Sequence, residues 1–178
     1  MKPFHWPDAR LPDAPACYLA QAVERAAASI VDRVHEIDPQ VAVVVIDGEA
    51  CRSDTSLFAE FASKLLFPRY FGHNWDALSD CLNDLDWLPG TGYLIVIERS
   101  EAVLPAANDE FARFATTLRD TAAHWATPDD ANPWQDPRPL PFRALFAVDP
   151  TQMAAMRARL AHADVAVEER SIGEVGVR

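Results

Sequence analysis

The sequence predicts an α/β domain built on a parallel sheet. Three short apolar runs, Val41 to Ile46, Tyr93 to Ile97 and Ala144 to Val148, lack polar alternation, the pattern of strands covered on both faces. Segments with apolar residues every three or four positions lie between them, and buried strands alternating with helices indicate parallel βαβ architecture. The 178 residues, 49% of them hydrophobic, suffice for a single domain, 1–178, with its own core. No internal repeat or low-complexity stretch interrupts it.

Taken in order, residues 1–15 carry Pro3, Pro7, Pro12 and Pro15 and read as extended. Phe4 and Trp6 are expected to fold back onto the body, because free tails rarely spend two large aromatics. From about Ala16, the spacing of Ala16, Ala20, Val23, Ala27, Ile30, Val34 and Ile37 predicts a helix that Asp38-Pro39 stops. The run Val41 to Ile46 follows as a fully buried strand, turned by Asp47-Gly48. Ser53 or Asp54 then caps a helix with Leu57, Phe58, Phe61, Leu65 and Leu66 inward, ended by Pro68.

A further helix runs toward Pro89-Gly90, and the strand Tyr93 to Ile97 follows it. Asn108 or Asp109 caps the next helix, with Phe111, Phe114, Leu118, Ala122 and Trp125 inward and Arg113, Thr116, Asp120 and His124 outward. Residues 127–141 form a proline-rich loop around Trp134. After the strand at 144–148, Pro150 opens a helix whose Met153, Met156 and Leu160 fill core. Val165 to Ile172 alternates weakly, as an edge strand does.

The stretch Pro68 to Asp86 stands apart. Gly72 is suited to the positive φ of a sharp turn, Asn74 to an N-cap, and Trp75 opens the helix. Trp75, Leu78, Cys81, Leu82 and Leu85 share one face; Asp76, Asp80, Asn83 and Asp84 share the other. Asp is a poor helix former, and like charges at i,i+4 cost roughly 0.2–0.5 kcal/mol per pair. Asp76/Asp80 and Asp80/Asp84 are two such pairs in succession, and no Lys or Arg occurs between Arg69 and Arg99. Charged helix faces are usually solvated surfaces, but this one is unneutralised and lies beside the aromatic pair Tyr70 and Phe71. That combination suits a docking surface for a positively charged partner.

Composition agrees. A formal net charge of −11 argues against a nucleic-acid binder, which needs a basic footprint, and favours steered encounter with a basic protein. Lys2 and Lys64 are the only lysines. Cys17, Cys51 and Cys81 are odd in number, fit no metal-ligand spacing, and read as reduced, buried thiols. No motif implies a cofactor, no residues a metal site, and no segment a membrane span or secretory signal. The expected location is the cytoplasm.

The residues Pro-x-Tyr-Phe-Gly-x-Asn-Trp-Asp-Ala-Leu-x-Asp-Cys-Leu at 68–82 closely resemble the signature of the barstar family, intracellular inhibitors of barnase-type ribonucleases. The order of elements over roughly 41–148 resembles that family too. This implies a three-stranded parallel sheet packed with helices. Residues 1–40, carrying the helix at 16–37, and 149–178, carrying a helix and the edge strand, then extend a core at 41–148 that includes the loop 127–141. The resemblance implies that the acidic helix and its loop plug a ribonuclease active site. Asp80 takes the central position, Asp76 the second acidic contact, and Tyr70 packs against the enzyme's catalytic histidine. Phe71, Gly72, Asn74, Trp75, Ser79, Asn83 and Asp84 occupy neighbouring contact positions, and Asp120 matches a further acidic position loosely. Ser79 stands where the family often has a bulky aromatic, Trp75 where it has an aliphatic, and Asp84 where it has a small residue.

Two other readings are weighed. A barstar-like surface can serve an adaptor that binds something other than a nuclease. Alternatively, Asp47, Glu98 and Asp149 each follow a buried strand, where parallel sheets place ligands, and three acids there could hold Mg²⁺ in a phosphate-processing enzyme. Acids after strands also begin turns and cap helices, and no glycine-rich phosphate loop accompanies these.

Overall fold

The computed structural model describes residues 1–11, 13–22, 26–127 and 139–172. In chain order, these hold α1 (Trp6–Ala9), β1 (Cys17–Gln21), α2 (Ala26–Ile37), β2 (Ala42–Asp47), α3 (Asp54–Lys64), α4 (Trp75–Asp84), β3 (Tyr93–Glu98), α5 (Asn108–Ala126), β4 (Phe142–Val148), α6 (Met153–His162) and β5 (Val167–Ser171). Every strand pairing is parallel, in the order β2-β3-β4-β1-β5.

The sheet therefore has five strands where the sequence predicts three in the core and one at an edge. Cys17 to Ala20 form a strand between β4 and β5, not the start of a helix; α2 spans Ala26–Ile37, and Val23 lies outside the described residues. The four residues Cys17, Tyr18, Leu19 and Ala20 are all buried, so β1 shows no polar alternation and merges with the small-residue periodicity that follows. The strand expected at 165–172 is present at its predicted edge. There Pro3 bridges to Ser171: Phe4 N–H donates to the Ser171 carbonyl and Ser171 N–H to that of Lys2, both at 2.9 Å.

Alternate residues of each strand feed two apolar layers, as the pleat requires. Tyr93, Ile95 and Ile97 of β3 face the layer under α3, α4, α5 and α6; Leu94 and Val96 face the layer with Tyr18, Ile30 and Val34. Phe4 and Trp6 do fold back into this second layer. The proline-rich start is not extended throughout, because Pro7 sits in the first turn of α1, where its missing N–H costs nothing. The buried Arg143 ties this segment down, donating from Nε to the Ala9 carbonyl at 2.8 Å and from a terminal nitrogen to that of Leu11 at 3.0 Å.

Several local expectations change. The run 41–46 is an edge strand with half-buried residues, not a fully buried one; Glu60 closes part of its edge, accepting from Asp47 N–H at 3.1 Å. Ser53 does cap α3, accepting from Ser56 N–H. Neither Asn108 nor Asp109 caps α5: Ala107 holds the cap position without a side-chain bond, and Asp109 and Glu110 lie in the first turn, where the helix dipole favours acids. Cys17, Cys51 and Cys81 are free and buried, and burial pushes the Cys17 and Cys51 thiols up to about 12. The proline-rich loop from 128 to 138, with Trp134, lies outside the described residues. Among the described residues no helix is long and apolar enough to cross a membrane.

Candidate functional site

The acidic helix forms as its sequence dictates. Asn74 is extended, at φ −141° and ψ 171°, and its Oδ1 accepts from Ala77 N–H at 2.8 Å. Leu78, Cys81, Leu82 and Leu85 bury one face of α4 against the core, and Leu85 ends the helix in the left-handed region at φ 48°. Trp75 is half-buried, edge-on to Phe58 with ring centroids 5.1 Å apart.

Asp76 and Asp80 point outward and are exposed; Asn83, Asp84 and Ser79 are half-buried. Asp80 forms no ion pair among the described residues. Asp76 does, because Arg113 reaches across from α5 to 3.5 Å while its guanidinium lies 5.5 Å from the centroid of the Trp75 ring. The face is therefore not wholly unneutralised, and local spacing gives no sign of this long-range partner. Burial, reinforced by the charge of Asp86, raises the Asp84 carboxyl above its ordinary value. The buried Asn83 Oδ1 accepts no hydrogen bond among the described residues.

The loop before α4 divides its two aromatics. Tyr70 is 75% exposed, whereas Phe71 is buried among Phe58, Phe67 and His73. Phe71 thus anchors the loop and offers no surface to a partner, contrary to the sequence expectation. The left-handed residue is His73, at φ 48°, not Gly72. Gly72 matters for space instead: a Cβ there would stand 3.1 Å from Asn74 Nδ2 and 3.4 Å from Ala77 Cβ, crowding the cap. Leu66, which the sequence turns inward, is 67% exposed at the start of the same loop.

Asp120 is exposed on α5 and pairs with Arg119 at 2.8 Å. Arg113 contacts Asp76 near the start of both helices, and Trp125 Nε1–H donates to the Leu82 carbonyl at 2.9 Å near their ends. The helices therefore run side by side in the same sense, with Asp120 between the two ties. Tyr70, Gly72, Asn74, Asp76, Asp80 and Asp120 are the exposed members of the expected set.

The strand-end acids have structural partners. Asp47 caps a short turn by accepting from Glu49 N–H at 2.9 Å and pairs with Arg99 at 2.5 Å. Glu98 accepts from Ala27 N–H at 3.4 Å, and Asp149 from Thr151 N–H at 2.8 Å. Among the described residues no three His, Cys, Asp or Glu side chains group to hold a metal ion.

A family model described as Barstar (barnase inhibitor) matches residues 41–146. A search of curated proteins returns no match. Among solved structures, the Aeropyrum pernix ORC2 protein in its ADPNP-ADP complexes is 13% identical with a TM-score of 0.56, covering 93% of this chain and 43% of that one. Its ADP form is 13% identical with a TM-score of 0.52, covering 88% and 42%. The chain spans less than half the length of these structures, and at this identity the likeness is one of fold. A phosphate-binding loop between strand and helix needs G-x-x-x-x-G-K-[ST]. The sequence following β1 is Ala22-Val23-Glu24-Arg25-Ala26-Ala27, with neither glycine nor lysine.

Proposed function

Since the chain belongs to the barstar family, we propose that it is a cytoplasmic protein inhibitor of a barnase-type ribonuclease, of the immunity or antitoxin kind. The observation that carries this reading is Asp80: exposed, unpaired among the described residues, and held at the middle of a helix whose opposite face is locked into the core. A ribonuclease active site gathers Arg, Lys and His to hold a phosphodiester. A carboxylate on a rigid helix stands in for that phosphate, accepting charge-assisted hydrogen bonds that are bidentate from Arg.

In this reading Asp80 enters the centre of the cleft, with Asp76 and Asp120 flanking it. Both flanking acids are held by arginines, the exposed Arg113 and the half-buried Arg119, in solvent-facing pairs that are worth little in water and can exchange for the enzyme's cations. Tyr70 presents its ring beside them. The small Ser79 leaves room for bulk on the enzyme's side. Net negative charge speeds encounter, and salt slows it.

Titration against a barnase-type ribonuclease at low salt tests the proposal. One-to-one inhibition is expected, weakened by added salt. Asp80→Ala is expected to lose about 2–5 kcal/mol of binding, a range to which barstar-family complexes themselves contribute. Its unfolding midpoint should stay near that of wild type, because Asp80 is exposed. Absence of inhibition at micromolar protein counts against this partner, and Asp80→Ala binding as tightly as wild type removes Asp80 from the centre.

A further inference from the structure

On the sheet face opposite the acidic helix, the N-terminal segment and α2 line a half-open cavity of about 450 Å³. Phe4, Trp6, Ile30, Val34 and Ile37 make its apolar walls. Cavities of a few hundred cubic ångströms with apolar walls and few polar groups are the usual setting for small ligands.

One side chain indicates the occupant. Arg33, half-buried at the wall, donates from Nε to the Ser29 carbonyl at 3.1 Å and forms no ion pair among the described residues. Its terminal N–H groups are left for an anion.

The other charges at the cavity do not compete strongly. Lys2 and His5 both face Asp8, at 3.2 and 3.5 Å, so that group is already balanced. Glu36 is exposed, where water screens it, and it disfavours any ligand with more than one negative charge. We propose that this cavity binds a small amphipathic monoanion, its apolar body against Phe4, Ile30, Val34 and Ile37 and its carboxylate on Arg33. The site lies across the sheet from Asp80 and does not depend on the inhibitor reading.

Calorimetric titration of the full chain with decanoate, with decylamine as the cationic control of equal length, tests this. One decanoate should bind per chain, about tenfold or more tighter than decylamine. Arg33→Gln should weaken decanoate about fivefold or more and bring the two ligands together. Ile37→Trp fills the cavity from a residue that is 49% exposed and should abolish binding while the chain stays folded. Absence of saturable binding at millimolar decanoate overturns the proposal. So does equal affinity for decylamine, or Arg33→Gln and Ile37→Trp binding as wild type does.

Discussion

Arg113 lies 3.5 Å from the Asp76 carboxylate and 5.5 Å from the centroid of the Trp75 ring, so one side chain of α5 holds the first turn of the acidic helix. Both partners are exposed, at 55% and 93% of their side-chain surface, which limits the pair to under about 1 kcal/mol. Arg113→Ala should therefore cost little stability while making the face more acidic. Association with a basic ribonuclease should quicken by about two- to fivefold at low salt, with the gain lost at high salt. Stopped-flow mixing at two salt concentrations reads this out. Slower association would mean that Arg113 aims Asp76, and that its orientation outweighs its charge.

Asn74 holds the same turn from the other side, through the 2.8 Å bond from Ala77 N–H. Asn74→Ala removes that acceptor and should cost about 1 kcal/mol. Denaturant unfolding measures the loss as a lower midpoint with an unchanged slope. Binding should weaken too, because Tyr70 and Asp76 lie on either side of the cap.

The acidic helix was legible because its whole account is local: cap, period and charge lie within twenty residues. Its buried face, its N-cap and its outward Asp76 and Asp80 all follow from spacing. What escaped was long-range. Arg113 reaches Asp76 from 37 residues away. Tyr70 and Phe71 are neighbours of similar chemistry, and only the cluster of Phe58, Phe67 and His73 decides which is buried. Strand β1 escaped for a different reason: its apolar run, Cys17 to Ala20, is short and has no β-branched residue, and Ala16 and Ala20 fit the three-and-four spacing that continues into α2. Gly48 reads as a turn glycine, but its φ is not positive. The need is close approach, since a Cβ there would stand 2.3 Å from the Arg99 carbonyl oxygen.

Asp84 carries a pH-dependent cost. Burial first, then the charge of Asp86, holds its carboxyl above the ordinary value in the folded chain. A raised folded value means that the folded state binds the proton more tightly than the unfolded state does. The ionised group therefore destabilises the fold at neutral pH. That penalty fades as pH falls through the raised value and is gone below the ordinary value of 3.8. Asp84→Asn should raise the melting midpoint at neutral pH, and the difference should vanish in acid. Melting curves across this range check the sign. A carboxylate kept at such a cost fits a surface used for binding, so the same variant should associate more slowly with a basic partner at low salt.

Trp125 ties the end of α4 to α5 and so distinguishes the two ends of the acidic face. Its indole N–H donates at 2.9 Å to the carbonyl of Leu82, in the last turn of α4, where backbone acceptors have no partner within the helix. Trp125→Phe keeps a ring beside Tyr93, whose centroid is 5.0 Å away, but loses the donor. The cost should be about 1 kcal/mol, with faster amide exchange confined to the end of α4 around Leu85. Asp76 and Asp80 lie before that turn and keep their geometry. Affinity for the ribonuclease should then fall by about twofold, the share carried by Asn83 and Asp84, and far less than in Asp80→Ala. Titration of both variants under one set of conditions decides the matter. A loss in Trp125→Phe as large as that in Asp80→Ala would place the energetic centre of the face at the end of α4 and not at its middle.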